Sequence, residues 1–152
     1  MSQSQAISSN RTHPDRARRL LWPVAIATLL FTVSYPANDY ITASKPSDIG
    51  LGLFLVYAGI AVVTVGLVFG ALLPWALPRD GSGGLALTFA IVGTVLAPGF
   101  WVGFPPGLAA GGALLGWAGL DARTGRRLSQ AAFAVGLFGV AFNVVSYAAV
   151  FI

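Results

Sequence analysis

Asn143, Thr28 and Thr32 are the polar side chains whose type and placement could do chemistry in this chain. Asn143 falls near the middle of the apolar run from Leu128 to Ile152, where a side-chain amide needs hydrogen-bond partners. Those partners are either a neighbouring helix or a ligand or pore contact. Thr28 and Thr32 share one face of an earlier apolar run. There they either bond back to their own helix backbone or line a path for a neutral solute.

Acid–base, nucleophilic and metal chemistry find no footing. No Asp, Glu, Lys, Arg or His lies in the apolar runs at 20–37, 49–77, 85–100, 105–120 and 128–152, although proton relays and ion-coupled transporters usually carry one at depth. The single histidine, His13, sits in a polar N-terminal segment, which excludes a bis-histidine haem or a histidine-rich metal site. The chain has no cysteine, so thiolate ligands, a Cys nucleophile and disulfides are also excluded. No serine has the His/Asp partners of a hydrolase triad. Gly81-Ser82-Gly83-Gly84 lacks the Lys and the strand–helix context of a phosphate loop and reads as a flexible turn. Neither a catalytic residue nor a cofactor is expected.

The elements that must position Asn143 and the threonines are set by composition. Apolar residues make up 56% of the 152 residues and charged residues 9%, with a mean hydropathy of +0.77. A soluble domain carries about a quarter charged residues, so the expectation is an all-α, polytopic integral membrane helix bundle. Its organising stretch is the uncharged run Gly81 to Leu120. As one helix it would reach about 60 Å, roughly twice the hydrocarbon thickness of a bilayer. The Pro/Gly-rich middle, Pro98 to Gly107, folds it into a hairpin around which the other helices should pack. The aromatics at its tip, Phe100, Trp101 and Phe104, read as an interfacial belt or a docking surface.

Five spans result, at about 20–37, 49–77, 85–100, 105–120 and 128–152, behind a disordered tail at 1–13. Residues 14–152 form a single helical domain. Pro14 and Asp15 suit a first helical turn, and Pro23 either kinks the first span or marks its start. A cleaved signal peptide is the competing reading of that span. Its length and the poor cleavage site at Tyr35-Pro36-Ala37 speak against it. The second span is longer than a bilayer requires, which predicts tilt, protrusion or an end before Pro74.

Charge then orients the chain. The net charge is +4, and the cations gather at Arg16, Arg18 and Arg19, at Arg79, and at Arg123, Arg126 and Arg127, alternating with segments that have no net positive charge. Five crossings place all three cationic segments on one side. The expectation is therefore the cell inner (plasma) membrane, with a cytoplasmic N-terminus and the C-terminus outside. The same pattern accounts for the basic balance without a nucleic-acid partner. Membrane lipids are the expected partners, with anionic headgroups drawn to Arg16, Arg18, Arg19, Arg123, Arg126 and Arg127.

Small residues predict how the helices pack. Gly52, Gly59 and Gly66 recur at a heptad interval and Gly66 pairs with Gly70. Ala86, Ala90, Gly93 and Ala97 share a face. Gly107 and Gly111, Gly112 and Gly116, and Ala132, Gly136 and Gly139 repeat the small-xxx-small or helical spacing. Such stripes let backbones approach closely, within the chain or between copies of it. On this reading both Gly66→Ile and Gly136→Ile should weaken folding.

From Leu85 to Val145 an apolar helix and a Pro/Gly-rich turn precede Gly107-Leu108-Ala109-Ala110-Gly111-Gly112-Ala113-Leu114-Leu115-Gly116. Thr124-Gly125-Arg126-Arg127-Leu128 and Ala132-Phe133-Ala134-Val135-Gly136-Leu137 follow. This stretch, under half of the chain, resembles small bacterial multi-spanning membrane proteins of unknown function. The resemblance implies the topology and carries no functional residue. The expected role is a non-enzymatic accessory or assembly subunit, associating with other membrane subunits or with itself. The alternative is a small oligomeric channel or transporter for a neutral or apolar solute.

Overall fold

The long apolar runs and the scarcity of charge leave the backbone one economical way to satisfy its polar groups, which is helix. The computed structural model describes residues 13–42, 50–77, 82–102, 104–122 and 124–150, and every regular element among them is helical. Helix α1 spans His13–Thr42. Helix α2 (Leu51–Val65) runs without a break into a π-helical stretch (Gly66–Leu72) and then α3 (Leu73–Ala76). Helix α4 spans Gly83–Val95, a 3₁₀ stretch covers Ala97–Val102, α5 spans Phe104–Ala118 and α6 spans Arg126–Val150. The readings of the tail before His13, of Arg79 and Gly81, and of Arg123 lie outside the described residues. So do the side chains of Phe100 and Trp101.

Three helical stretches are long and apolar enough to cross a membrane: Asp15–Asn38, Leu51–Ala76 and Arg126–Ala149. The two segments of the expected hairpin are shorter. α4 has 13 residues and α5 has 15, so each reaches only about 20 Å, against a hydrocarbon thickness of about 30 Å.

The prolines act differently at each site. α1 begins well before Pro23 and holds both Pro23 and Pro36 in its interior. The helical stretch from α2 to α3 does not stop before Pro74; its register widens instead. The Leu73 N–H donates to the Val68 carbonyl, one residue further back than in an α-helix. A wide turn just ahead of Pro74 makes room for a ring that would otherwise press on the carbonyl four residues earlier. At the hairpin tip Pro105 and Pro106 occupy the first turn of α5, where a missing N–H costs least.

The core centres on α5 alone. Nearly every residue from Pro105 to Ala118 is buried, whereas α4, the other half of the expected hairpin, shows Ile91, Val92, Val95 and Leu96 to the outside. The reason is the packing of backbone on backbone along α4, α5 and α6. A Cβ built on Gly112 would lie 2.5 Å from the Ala90 nitrogen, and one on Gly93 would meet the Ala109 backbone. A Cβ on Gly116 would lie 2.5 Å from the Phe133 nitrogen, and one on Gly136 would lie 2.6 Å from the Ala113 nitrogen. In each pair of contacts the glycine comes once from α5 and once from its neighbour, and the register runs antiparallel. α4 and α6 therefore run parallel to each other, with α5 reversed between them.

The glycines of α2 depart from the packing expectation. A Cβ on Gly52, Gly59, Gly66 or Gly70 would meet nothing within 4 Å, and all four positions are exposed. α2 turns Ala61, Thr64, Val65, Val68 and Phe69 inward instead. Where the α2–α3 rod meets α5, the small residue is Gly111 and the large side chains are Val68 and Leu73. α5 is thus the groove and the rod is the ridge, so the rod's own glycines are left on the outer face.

Candidate functional site

Asn143 is held at the seam between α4 and α6. Its Nδ2 donates to the Gly139 carbonyl at 2.8 Å, one turn back on α6, and to the Gly93 carbonyl of α4 at 3.4 Å. The bond to Gly93 needs the close approach of the helices, which bare Gly139 permits: a side chain there would run into the Thr94 hydroxyl and the Ala109 methyl. Thr94 completes the seam by donating to Ala90 O at 2.8 Å, with Val135 O at 3.3 Å. Asn143 is 1% exposed, and its Oδ1 is the one buried side-chain oxygen or nitrogen among the described residues with no partner.

Asn143 is also one of the residues lining a cavity of about 500 Å³ between α1, α5 and α6. α1 contributes Val24, Thr28 and Phe31; α5 contributes Ala110, Leu114 and Trp117; α6 contributes Leu137 and Val140 beside Asn143. α5 forms the floor, and α1 and α6 form the walls. At one end the walls are joined: the Ser34 and Tyr147 hydroxyls lie 3.2 Å apart and the Phe31 and Tyr147 rings are 5.1 Å apart. Leu20, Leu137 and Val144 line the cavity and are themselves exposed, so it opens to the outside as a lateral groove.

The two threonines separate. Thr28 lines the cavity, with its hydroxyl donating to Val24 O at 2.8 Å. Thr32 is buried and donates to Thr28 O at 2.8 Å, but does not line the cavity. Both bond back to their own helix, which satisfies their hydrogens without a tertiary partner. Arg16, Arg18, Arg19, Arg126 and Arg127 are exposed and far in sequence from Asn143; they do not line the groove. Among the described residues there is no cluster of His, Cys, Asp or Glu able to hold a metal ion.

Two features of the site escape the sequence reading. Spacing indicates that α1 has a polar face but not that this face stands opposite Asn143. Ser129, 1% exposed beneath Gly83 and Gly119, looks like an ordinary residue of a helix start. It is buried because two glycines from other segments close over it. No family model matches the chain, and no curated protein or solved structure matches it.

Proposed function

We propose that this chain is a small, non-enzymatic, multi-spanning membrane protein that binds an apolar molecule in the lateral groove between α1 and α6. The observation that carries this reading is the meeting of Thr28 and Asn143, far apart in sequence, on one apolar cavity of about 500 Å³. That volume lies within the range of about 300–1,000 Å³ usual for small-molecule sites. An apolar groove that opens sideways on a bundle of membrane helices faces the acyl chains, so its occupant can enter from the bilayer.

The membrane reading draws support from three helical stretches of spanning length and from helix direction. α1 and α6 meet at Phe31, Ser34 and Tyr147, near the later part of each helix, so their arginine-bearing starts lie toward one end of the bundle. With α4 parallel to α6 and α5 reversed, this favours five membrane-embedded segments in alternating directions, basic ends cytoplasmic and the C-terminus outside. A short helix such as α5 is tolerated at depth when other helices enclose it. An inner-membrane location follows if the host is bacterial.

The test is photocrosslinking with a diazirine-bearing alkane in lipid nanodiscs. Label is expected in the α1, α5 and α6 segments that line the groove, and Ala110→Phe, which fills it, should remove that label. Uniform labelling of all outward faces, unchanged in Ala110→Phe, would sink the binding reading. Orientation is checked on the cysteine-free chain by single cysteines placed at Ser8 and Thr124, which should both resist a membrane-impermeant thiol reagent added outside.

The outward glycine face of α2 favours a second role as an accessory subunit. Gly59, Gly66 and Gly70 present bare backbone to whatever lies beside them, a surface suited to another helix. Native mass measurement in mild detergent, with co-purifying chains identified, decides it. A chain that remains a lone protomer at every detergent level tested would remove the accessory role.

A further inference from the structure

We infer that the groove holds one acyl chain of an anionic phospholipid, with the phosphate of its headgroup bound by Arg16 of α1 and Arg126 of α6. This inference rests on the binding reading above and names the class of molecule bound.

The helical register carries each wall of the groove into an arginine. On α1 the lining includes Leu20, Val24 and Phe31, and one turn before Leu20 the same side of the helix reaches Arg16. On α6 the lining residues Phe133, Leu137, Val140 and Val144 form a stripe at three- and four-residue spacing. That stripe extends back through Gln130 to Arg126. Arg16 and Arg126 are both exposed. Arg18, Arg19 and Arg127 lie about 100° or more round their helices from these stripes.

Both arginines lie toward the same end of the groove. The walls are joined at Phe31, Ser34 and Tyr147, which is the end away from the helix starts. On the reversed α5, Trp117 follows Gly116, whose added Cβ would meet Phe133 and Ser129 of α6. Trp117 therefore lines the groove near its basic end, where an indole suits the boundary between chain and headgroup. From Leu20 to Phe31 the groove runs about 16 Å along α1, close to half of a hydrocarbon core of about 30 Å. An apolar slot one leaflet deep, with cations beyond one end, matches a phospholipid with its chain inside and its phosphate outside.

Charge selects the headgroup. Five arginines, at 16, 18, 19, 126 and 127, stand at that end against Asp15 and Asp121 among the described residues, and the groove lining itself carries no charge. A guanidinium can hold a phosphate through two parallel charge-assisted hydrogen bonds, and cations at the membrane surface favour anionic lipid. A zwitterionic headgroup adds an ammonium that the same arginines repel. A diacylglycerol brings no charge for them to hold.

The experiment uses the full chain in nanodiscs of phosphatidylcholine, with one of two trace probes, phosphatidylglycerol or phosphatidylcholine, each carrying the same diazirine in its acyl chain. On the unaltered chain the phosphatidylglycerol probe should label the groove segments about tenfold more than the phosphatidylcholine probe, the order expected from two surface cations. Arg16→Gln combined with Arg126→Gln should bring the two probes level. Arg18→Gln combined with Arg127→Gln removes the same charge away from the groove stripes and should leave the preference in place. Groove labelling by the diazirine alkane checks that each variant keeps its fold. Equal labelling by the two phospholipid probes on the unaltered chain, with alkane label still in the groove, overturns the headgroup inference and leaves the binding reading standing. An equal loss of preference in both double variants also overturns it, since charge alone and not position would then be responsible. Absence of alkane label from the groove of the unaltered chain overturns both readings.

Discussion

The glycines of α2 and those of α5 share a composition and a spacing but occupy opposite environments. On α5, a side chain at Gly112 or Gly116 would strike the backbone of a neighbouring helix, and one at Gly111 would press on Leu73 and Val68. On α2 and its π-helical continuation, side chains at Gly59, Gly66 and Gly70 would meet open space. A small residue in a helix is therefore a permission and not a contact. It becomes a backbone-to-backbone contact where the opposing helix also presents small residues, as Ala90 and Gly93 of α4 and Ala113 and Gly136 of α5 and α6 do. At the junction of α5 with the α2–α3 rod the opposing residues are Val68 and Leu73, and one glycine on one side is enough.

The sharpest way to break this contrast is to add bulk on α5. Gly112→Val is expected to cost about 3 kcal/mol or more, because backbone cannot move aside as a side-chain tip can. Loss of a monodisperse, cooperatively melting protein in detergent is the readout. Gly136→Ile belongs to the same class, since its Cβ would lie 2.6 Å from the Ala113 nitrogen. A variant that melts like the parent would refute the backbone contact.

An intermediate effect is expected at Gly139, whose added methyl meets the Thr94 side chain. Gly139→Ala should cost about 1–2 kcal/mol, and Thr94→Ala in the same chain should recover part of it through a coupling of about 1 kcal/mol. Additive losses in a double-mutant cycle would show that the two residues do not touch. Asn143→Leu should change stability by less, within about 1 kcal/mol, because it loses the bonds to Gly139 and Gly93 but also removes an unpaired buried oxygen. A large loss would mean that Oδ1 has a partner in the protein.

The smallest effect is expected on α2. Gly59→Ala lies in regular exposed helix and should stabilise the protein by about 0.5–1 kcal/mol, since glycine costs backbone entropy there. Gly66→Ile should leave the melting temperature of the isolated protomer nearly unchanged, in contrast to Gly136→Ile. If Gly66→Ile instead disrupts an oligomer while the protomer still folds, the outward face of α2 is a subunit contact.

Much of the fold was legible in sequence because apolar run length and charge placement are properties of single segments. The runs around Thr28, Gly59 and Asn143 gave three helices of spanning length, and the uncharged stretch from Gly81 to Leu120 gave a hairpin of two shorter ones. Asn143 stood out because an amide in an apolar run must find partners wherever it lands. The choice among glycine stripes was not legible, since Gly66/Gly70 and Gly112/Gly116 carry the same pattern. Nor was the burial of α5 over α2, although α2 with its continuation to Ala76 is the longer and more apolar stretch.

The sequence by itself determined that the chain is helical, that its long runs can cross a bilayer, and that those runs carry no ionisable Asp, Glu, Lys, Arg or His and no cysteine. Each of these depends on residue type and local spacing, and the free energies involved are those of one segment against its solvent. Only the tertiary structure decided that α5 lies at the centre, that α2 leaves its glycines outside, and that Thr28 and Asn143 face one groove. Those outcomes depend on which backbones approach closely enough to exchange contacts. Helical periodicity tells which residues share a face, whereas the partner of that face is chosen by the fit of two surfaces encoded far apart in the chain.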